Sequence, residues 1–283
     1  MSAGLTGAGH GTERGVFKCF SQRDHNRDMV RVVTTKTSDR RRAPAGYDPS
    51  QFPAFAVTVD IVILTMSDSR PHVLLVSRGV APFKGMWAIP GGFKRPGETL
   101  DQAAKRELSE ETGVDSASLL TQFGAYGDPG RDPRMNVVTV AYLAVLRDVG
   151  AIVAGSDAAH AALLPVSEAL SGKIELAFDH ARIVRDAVER ARVDLEHTGI
   201  ATAFVGPTFT MAELRAVYEG IWGVHLDGAN FRRTVSAEDG WVIPTGRRAR
   251  PGSRGGKPAE LFRAGRMWKL GGPIRRSEPN ERR

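Results

Sequence analysis

Cysteine is almost missing from this chain of 283 residues; Cys19 stands alone. One thiol excludes an internal disulfide, and a reducing compartment is the expectation. The first twenty residues contain no apolar run of the kind a secretory leader carries. Long hydrophobic runs are missing too. The most apolar segment, FAVTVDIVIL at 55–64, carries Asp60 and is far too short to span a bilayer. A cytoplasmic protein with no membrane partner is therefore expected. Acid is scarce at the C-terminal end. Residues 241–283 carry 12 Lys/Arg against 3 Asp/Glu, residues 1–50 carry 9 against 5, and residues 51–240 carry 18 against 24. A basic end on an acidic body suits a polyanion such as nucleic acid, with a solubilising tail as the plainer alternative.

What is present suffices for a sizeable core. The chain is 41% hydrophobic and long enough for two domains. Residues 1–50 read as a poorly ordered basic extension, within which Met29 is an alternative to Met1 as the start. Strands are expected over 54–66, 72–78, 118–127 and 136–146, and a helix over 179–195 from the spacing of Ile183, Ala187, Ala191 and Leu195. A connector, HTGIATAFVGP, places a domain boundary near 197–208. Thr210 with Glu213 three places on is a capping-box signature, and Met211, Leu214, Val217, Tyr218 and Ile221 give the helix after it an apolar stripe. A short helix within 226–240 and a strand–loop–strand follow. The expected units are 51–197 and 205–270, with a basic tail at 271–283.

The densest chemistry lies in GGFKRPGETLDQAAKRELSEETGV, residues 91–114. Thr99 caps a helix, Gln102 completes its capping box, and Gly113 ends it. Glu107, Glu110 and Glu111, at i, i+3 and i+4, share one face and repel one another. A solvated acidic face is one reading. A cation is the other, and oxygen-only ligands suit Mg²⁺ or Mn²⁺, which neutralise a bound pyrophosphate. Arg106 is directed elsewhere on the helix, toward Glu98. The segment closely resembles the Nudix box, with every place filled by Gly92, Glu98, Arg106, Glu107, Leu108, Glu110, Glu111, Gly113 and Val114. That resemblance, over roughly 52–190, implies an α/β/α sandwich around a mixed sheet. It also implies Glu107, Glu110 and Glu111 as metal ligands, Glu98 braced by Arg106, and a nucleoside diphosphate linked to another moiety as substrate.

On the ligand side, Arg78 follows a strand and can meet a phosphate. Arg131, Asp132 and Arg134 lie in a loop whose two guanidiniums suit a pyrophosphate clamp. A loop of this kind resembles that of Nudix proteins that bind ADP-ribose. Phe123, Tyr126 and Phe178 are candidates to stack on an adenine or to fill the core. Glu168 and Glu175 are the carboxylates nearest in sequence to the place of a general base.

In the last third, two helices and a two-stranded ribbon with a basic loop give the skeleton of a winged helix–turn–helix. The second helix would present Asn230, Arg232 and Arg233 to bases or phosphates, with Phe231 turned inward. The loop TGRRARPGSRGGK adds Arg247, Arg248, Arg250, Arg254 and Lys257 along a phosphate backbone. The order of parts over 52–265 is similar to that of the Nudix-related transcriptional regulators of NAD metabolism, the NrtR family. That resemblance implies a homodimeric repressor that binds a double-stranded DNA operator and responds to ADP-ribose or a related nucleotide. Intact carboxylates keep a second function open: Mg²⁺-dependent hydrolysis of ADP-ribose to AMP and ribose 5-phosphate.

Overall fold

The computed structural model describes residues 43–113, 117, 119–147, 158–250 and 258–275. Met29, Val114, Arg254 and Lys257 lie outside the described residues, as do most of the expected N-terminal extension and the end of the tail. Two compact units are distinguished, Met1–Gln51 and Phe52–Arg283. The described part of the first holds one short 3₁₀ turn, Pro49–Gln51.

The second unit is built on a mixed sheet. Its long central strand β1 (Ala56–Ser67) runs antiparallel to β2 (Arg70–Arg78) and parallel to β6 (Val137–Val145). The short strand β3 (Trp87–Ala88) extends β2, β4 (Gly91–Phe93) pairs with β1, and β5 (Leu119–Tyr126) pairs with β6. A strand the sequence reading did not anticipate, β7 (Ala158–Pro165), pairs antiparallel with β2. Its AAHAALLP sequence is poor in β-branched residues, and pairing with β2 outweighs the local preference.

Both faces of β1 are covered, which explains its nearly continuous apolar sequence. Val59, Ile61 and Ile63 pack on one side with Ala103, Ala104 and Leu108 of α1 (Leu100–Thr112). Val62 and Leu64 pack on the other with Ile183, Val184 and Ala187 of α3 (His180–His197). Period-two alternation thus assigns each residue to a layer, and the α/β/α sandwich is the result. A single-turn helix, α2 (Val166–Ala169), leads from β7 toward α3.

The expected boundary falls on buried chain. A 3₁₀ turn at Gly199–Ala203 hides Gly199, Ile200, Ala201 and Ala203. The same apolar cluster that contains Val62 and Ile183 runs on through Phe204, Phe209, Tyr218, Trp222, Phe231, Trp241 and Phe262. The helices α4 (Met211–Trp222) and α5 (Gly228–Ala237) and the ribbon of β8 (Val242–Arg248) and β9 (Glu260–Ala264) form the winged helix–turn–helix. Phe209 and Phe262 exchange backbone hydrogen bonds of 2.9 and 2.7 Å, tying β9 to the approach to α4.

Chain beyond the wing returns to α3. Gly199 N–H donates to Trp268 O (2.7 Å), Leu270 N–H to His197 O (3.0 Å) and Ile274 N–H to Glu196 O (2.9 Å). The Glu238 carboxylate, just past α5, accepts from the Gly271 and Gly272 amides at 2.8 and 3.2 Å. So residues 268–274 link the end of α3 to the end of α5. Among the described residues no helix is long and apolar enough to cross a membrane.

The head also meets the β1–β2 turn closely. A Cβ on Gly220 of α4 would lie 2.6 Å from Ser69 O and 2.7 Å from Met66 Cε. Trp222 Nε1–H donates to Arg192 O (3.1 Å), and Arg192 Nε–H donates to Ile221 O (2.9 Å). Gly220→Ala overpacks this contact. It is expected to destabilise the fold by about 1–3 kcal/mol, read as a lowered Tm against wild type, and an unchanged Tm would contradict the closeness of the contact.

Candidate functional site

The glutamate helix begins and ends as its sequence requires. Thr99 Oγ1 accepts from Gln102 N–H (3.2 Å), Gln102 Oε1 accepts from Thr99 N–H (2.7 Å), and Gly113 closes the helix at φ 69°. Gly92 is needed for space rather than conformation. A Cβ there would lie 2.3 Å from Glu107 Oε1, so a larger residue would push the Glu107 carboxylate out of its present place.

Arg106 organises this face. It donates to Glu98 through Nη2 (2.8 Å) and Nε (3.2 Å), and to Phe93 O (3.1 Å). Its Nη1 also donates to Glu107 (2.6 Å) and Glu110 (3.1 Å). The expectation that Arg106 is directed away from the carboxylates is therefore corrected. At i and i+4 the guanidinium is within reach of Glu110, and unneutralised carboxylates draw it in. Arg106 holds the Glu98 carboxyl down at about 2. Burial pushes the Glu107 carboxyl up, against the pull of Arg106. Glu111 accepts from Gly91 N–H at 3.3 Å. Among the described residues no three acidic, histidine or cysteine side chains converge as a metal-holding group. The donors are of the right kind for a hard cation, on one helix turn beside the cleft. As arranged, Arg106 supplies the countercharge for two of them.

The cleft beside this helix measures ≈ 910 Å³ with its open mouth, and is lined in part by Arg78, Gly92, Glu111, Arg131, Asp132 and Arg134. The two loop arginines have different environments. Arg131, with a side chain 5% exposed, binds Asp179 at 2.7 and 3.1 Å and Asp60 at 3.2 Å. Its charge is taken by two carboxylates in the floor. Arg134 is 43% exposed and forms a bidentate pair with buried Asp132 (2.7 and 3.0 Å), which holds that carboxyl below its usual range. Arg134 and Arg78 instead flank Phe178, with guanidinium carbons 6.0 and 4.9 Å from its ring centre. Arg78 Nε–H donates to Pro82 O (2.8 Å), which sets its direction. Phe178 sits at φ 54°, a left-handed conformation that a bulky residue rarely adopts.

Other candidates are placed elsewhere. Tyr126 bonds to Asp186 (2.9 Å), Phe123 packs on the core, and neither Glu168 nor Glu175 is among the cleft-lining residues. Sequence reasoning missed Asp179 and His180 and used Asp60 only to argue against a membrane span. The available signal was a carboxylate amid an otherwise apolar buried strand. His180 is buried; its Nδ1 accepts from Ile89 N–H (3.1 Å), leaving Nε2 to carry the proton, and burial lowers its pKa.

In the reading head, Asp227 caps α5 through Asn230 N–H (2.8 Å), while Phe231 and Val235 are buried. Asn230 and Arg233 are exposed and bonded to each other at 2.9 Å. Arg232 differs from them: it pairs with Glu260 of β9 at 2.7 Å, and so pins helix to wing. Arg247, Arg248 and Arg250 are exposed on the wing, with Arg248 also donating to Pro258 O at 3.1 Å.

Comparison with known proteins follows this division. The family model for the NUDIX domain matches residues 54–187, and that for the NrtR DNA-binding winged helix domain matches 202–264. An Acinetobacter baylyi protein described as ADPR responsive transcriptional repressor NtrR is 34% identical, over 77% of this chain and 86% of its own. An ADP-ribose pyrophosphatase of Methanocaldococcus jannaschii is 38% identical over 46% of this chain and 72% of its own. The crystal structure of Shewanella oneidensis NrtR complexed with a 27mer DNA is similar with a TM-score of 0.66 at 30% identity, over 77% of this chain and 99% of that one.

The brace at Glu98 carries a pH signature. Its folded carboxyl is depressed from an ordinary 4.5 to about 2, so its stabilisation is full above 4.5 and is lost as pH falls through 2. Thermal unfolding of wild type and Glu98→Gln should show a Tm gap at pH 7 that narrows below 4.5 and closes near 2. A gap independent of pH would contradict the pairing.

Proposed function

This chain belongs to the NrtR family of Nudix-related transcriptional regulators, and we propose that it is an ADP-ribose-responsive, DNA-binding repressor of NAD biosynthesis or salvage genes. The observation that carries the reading is the joining of two devices in one packed unit. A cleft lined by guanidiniums and an aromatic ring sits at the N-terminal end of α3. A reading helix and basic wing are held at its other end.

ADP-ribose fits the cleft by chemistry. Arg78 and Arg134 would hold the pyrophosphate, and Phe178 between them would stack a base or sugar. Asn230 and Arg233 would enter the major groove, with Arg247, Arg248 and Arg250 on phosphates, joined by Arg254 and Lys257. A homodimer would place two heads on a two-fold symmetric site. Ligand in the cleft meets Phe178, next to Asp179 and His180, so a shift of α3 there reaches α4 through Arg192 and Trp222. Coupling of this kind requires that ADP-ribose prefer one dimer geometry over the other.

Mg²⁺ or Mn²⁺, where bound, would be held by Glu107, Glu110 and Glu111, and would supply charge neutralisation of the pyrophosphate and activation of water. Retention of all three carboxylates favours a second activity, hydrolysis of ADP-ribose to AMP and ribose 5-phosphate. Glu111 lines the cleft and would face the bound diphosphate, while Arg78 and Arg134 hold it still.

One titration tests both readings: a duplex-shift assay with and without ADP-ribose and Mg²⁺, with AMP measured in the same tubes. Specific, salt-sensitive binding weakened by ADP-ribose is expected, with a log–log salt slope of roughly −4 to −5 for each head that makes about five phosphate contacts, and about twice that for the dimer. Duplexes from NAD-metabolism genes that bind no better than random DNA would overturn the repressor reading. AMP release abolished by Glu111→Gln supports hydrolysis, and no turnover with either metal rejects it. Replacing Arg247, Arg248 and Arg250 together with alanine should flatten the salt slope by roughly 2–3 per head, about 5 for the dimer. An unchanged slope would remove the wing from the interface.

A further inference from the structure

We propose that the groove between the sandwich and the reading head is a second ligand site, taking a phosphorylated small molecule of mononucleotide size. It shares no lining residue with the cleft, and goes beyond the repressor reading. Arg70 at the start of β2 and Arg185 and Arg192 of α3 line it, with Ser167 beside them, Pro71 and Leu170 as partly exposed apolar wall, and Ile221 at its back. Its cavity volume is ≈ 320 Å³, at the lower end of small-ligand pockets.

The charge balance points to an anion. Glu189 is the single carboxylate among the lining residues, and it is paired with Arg192. Arg192 is further fixed by its bond to Ile221 O. Arg70 and Arg185 are both exposed, and neither side chain has a hydrogen-bond or ion-pair partner among the described residues. Two uncompensated guanidiniums from different elements therefore face one groove in addition to a preorganised third. Planar forks of this kind recognise phosphate oxygens, and Ser167 adds a hydroxyl donor. The apolar wall distinguishes the site from a patch suited to inorganic ions alone, since it offers surface to a base or sugar. The walls belong to both halves: β2 and α3 from the sandwich, Ile221 from α4 of the head. A ligand here would favour one placement of the head, so this site would tune operator affinity separately from the cleft.

The test is calorimetric titration of the full-length chain with ADP, without DNA. Wild type should bind two equivalents per chain. In Arg70→Ala/Arg185→Ala one equivalent should weaken at least tenfold, Arg70→Lys/Arg185→Lys, which keeps the charges but not the planar forks, should weaken it less, and the cleft variant Arg78→Ala/Arg134→Ala should retain it. Inorganic phosphate should compete for this equivalent weakly, and AMP more strongly. Unfolding curves establish that each variant folds. A single equivalent in wild type that Arg78→Ala/Arg134→Ala removes, or any number unaffected by Arg70→Ala/Arg185→Ala, overturns the proposal, whereas a single equivalent that Arg70→Ala/Arg185→Ala removes supports the groove and counts against the cleft reading. A loss confined to operator binding with ADP stoichiometry intact also overturns the proposal, and would make these arginines a contact to the DNA backbone.

Discussion

The structure hangs on one buried cation. Arg131 reaches from the loop before β6 to Asp60 in the middle of β1 and to Asp179 at the start of α3. Removing a single partner from a buried pair of this kind costs about 3–5 kcal/mol, because an uncompensated charge stays behind. Such an arrangement specifies geometry more than it adds stability. It fixes the sheet, the loop and the helix at one point, and that point is the floor of the cleft. His180, next in the chain, extends the constraint by accepting from Ile89 N–H, so the strand entering the glutamate segment is positioned from α3 as well.

α3 is consequently a shared part. Its first residues belong to the cleft, its apolar stripe covers one face of the sheet, and its last turns hold the head. The cluster of buried residues crosses from sandwich to winged helix with no apolar gap. Packed interiors resist continuous deformation. A movement at Asp179 would therefore displace packed elements rather than be absorbed in a linker. The two bonds between Arg192, Ile221 and Trp222 are the polar part of the contact between α3 and α4.

Much of this was legible in the sequence. Capping boxes at Thr99 and Thr210 and the glycine at 113 marked helix ends to within a residue, because caps are local chemistry. The long strands were readable from β-branched runs. Strand β7 was not, since its alanines state no preference and only the neighbouring strand decides. The division of labour in the loop at 131–134 was also hidden. Sequence shows two arginines alike; Asp60 and Asp179, about seventy and fifty residues away, determine that one is interior and the other is left exposed at the cleft. Similarly, Arg232 looks like a DNA contact until Glu260 is found across from it. Pairings between distant segments were the unreadable part, and local order the readable one.

The return of residues 268–274 to the end of α3 bears on where this protein can be divided. Strands and helices of the head are complete by Ala264, and a cut there would look clean in a diagram of domains. It would discard the segment that joins Glu196–Gly199 to Glu238. A head grafted onto another sensor with that cut would keep its reading surface but lose a fixed bearing on its new partner. The transferable module is thus the head together with its closing segment and the α3 end it grips, which makes residues 268–274 part of the junction.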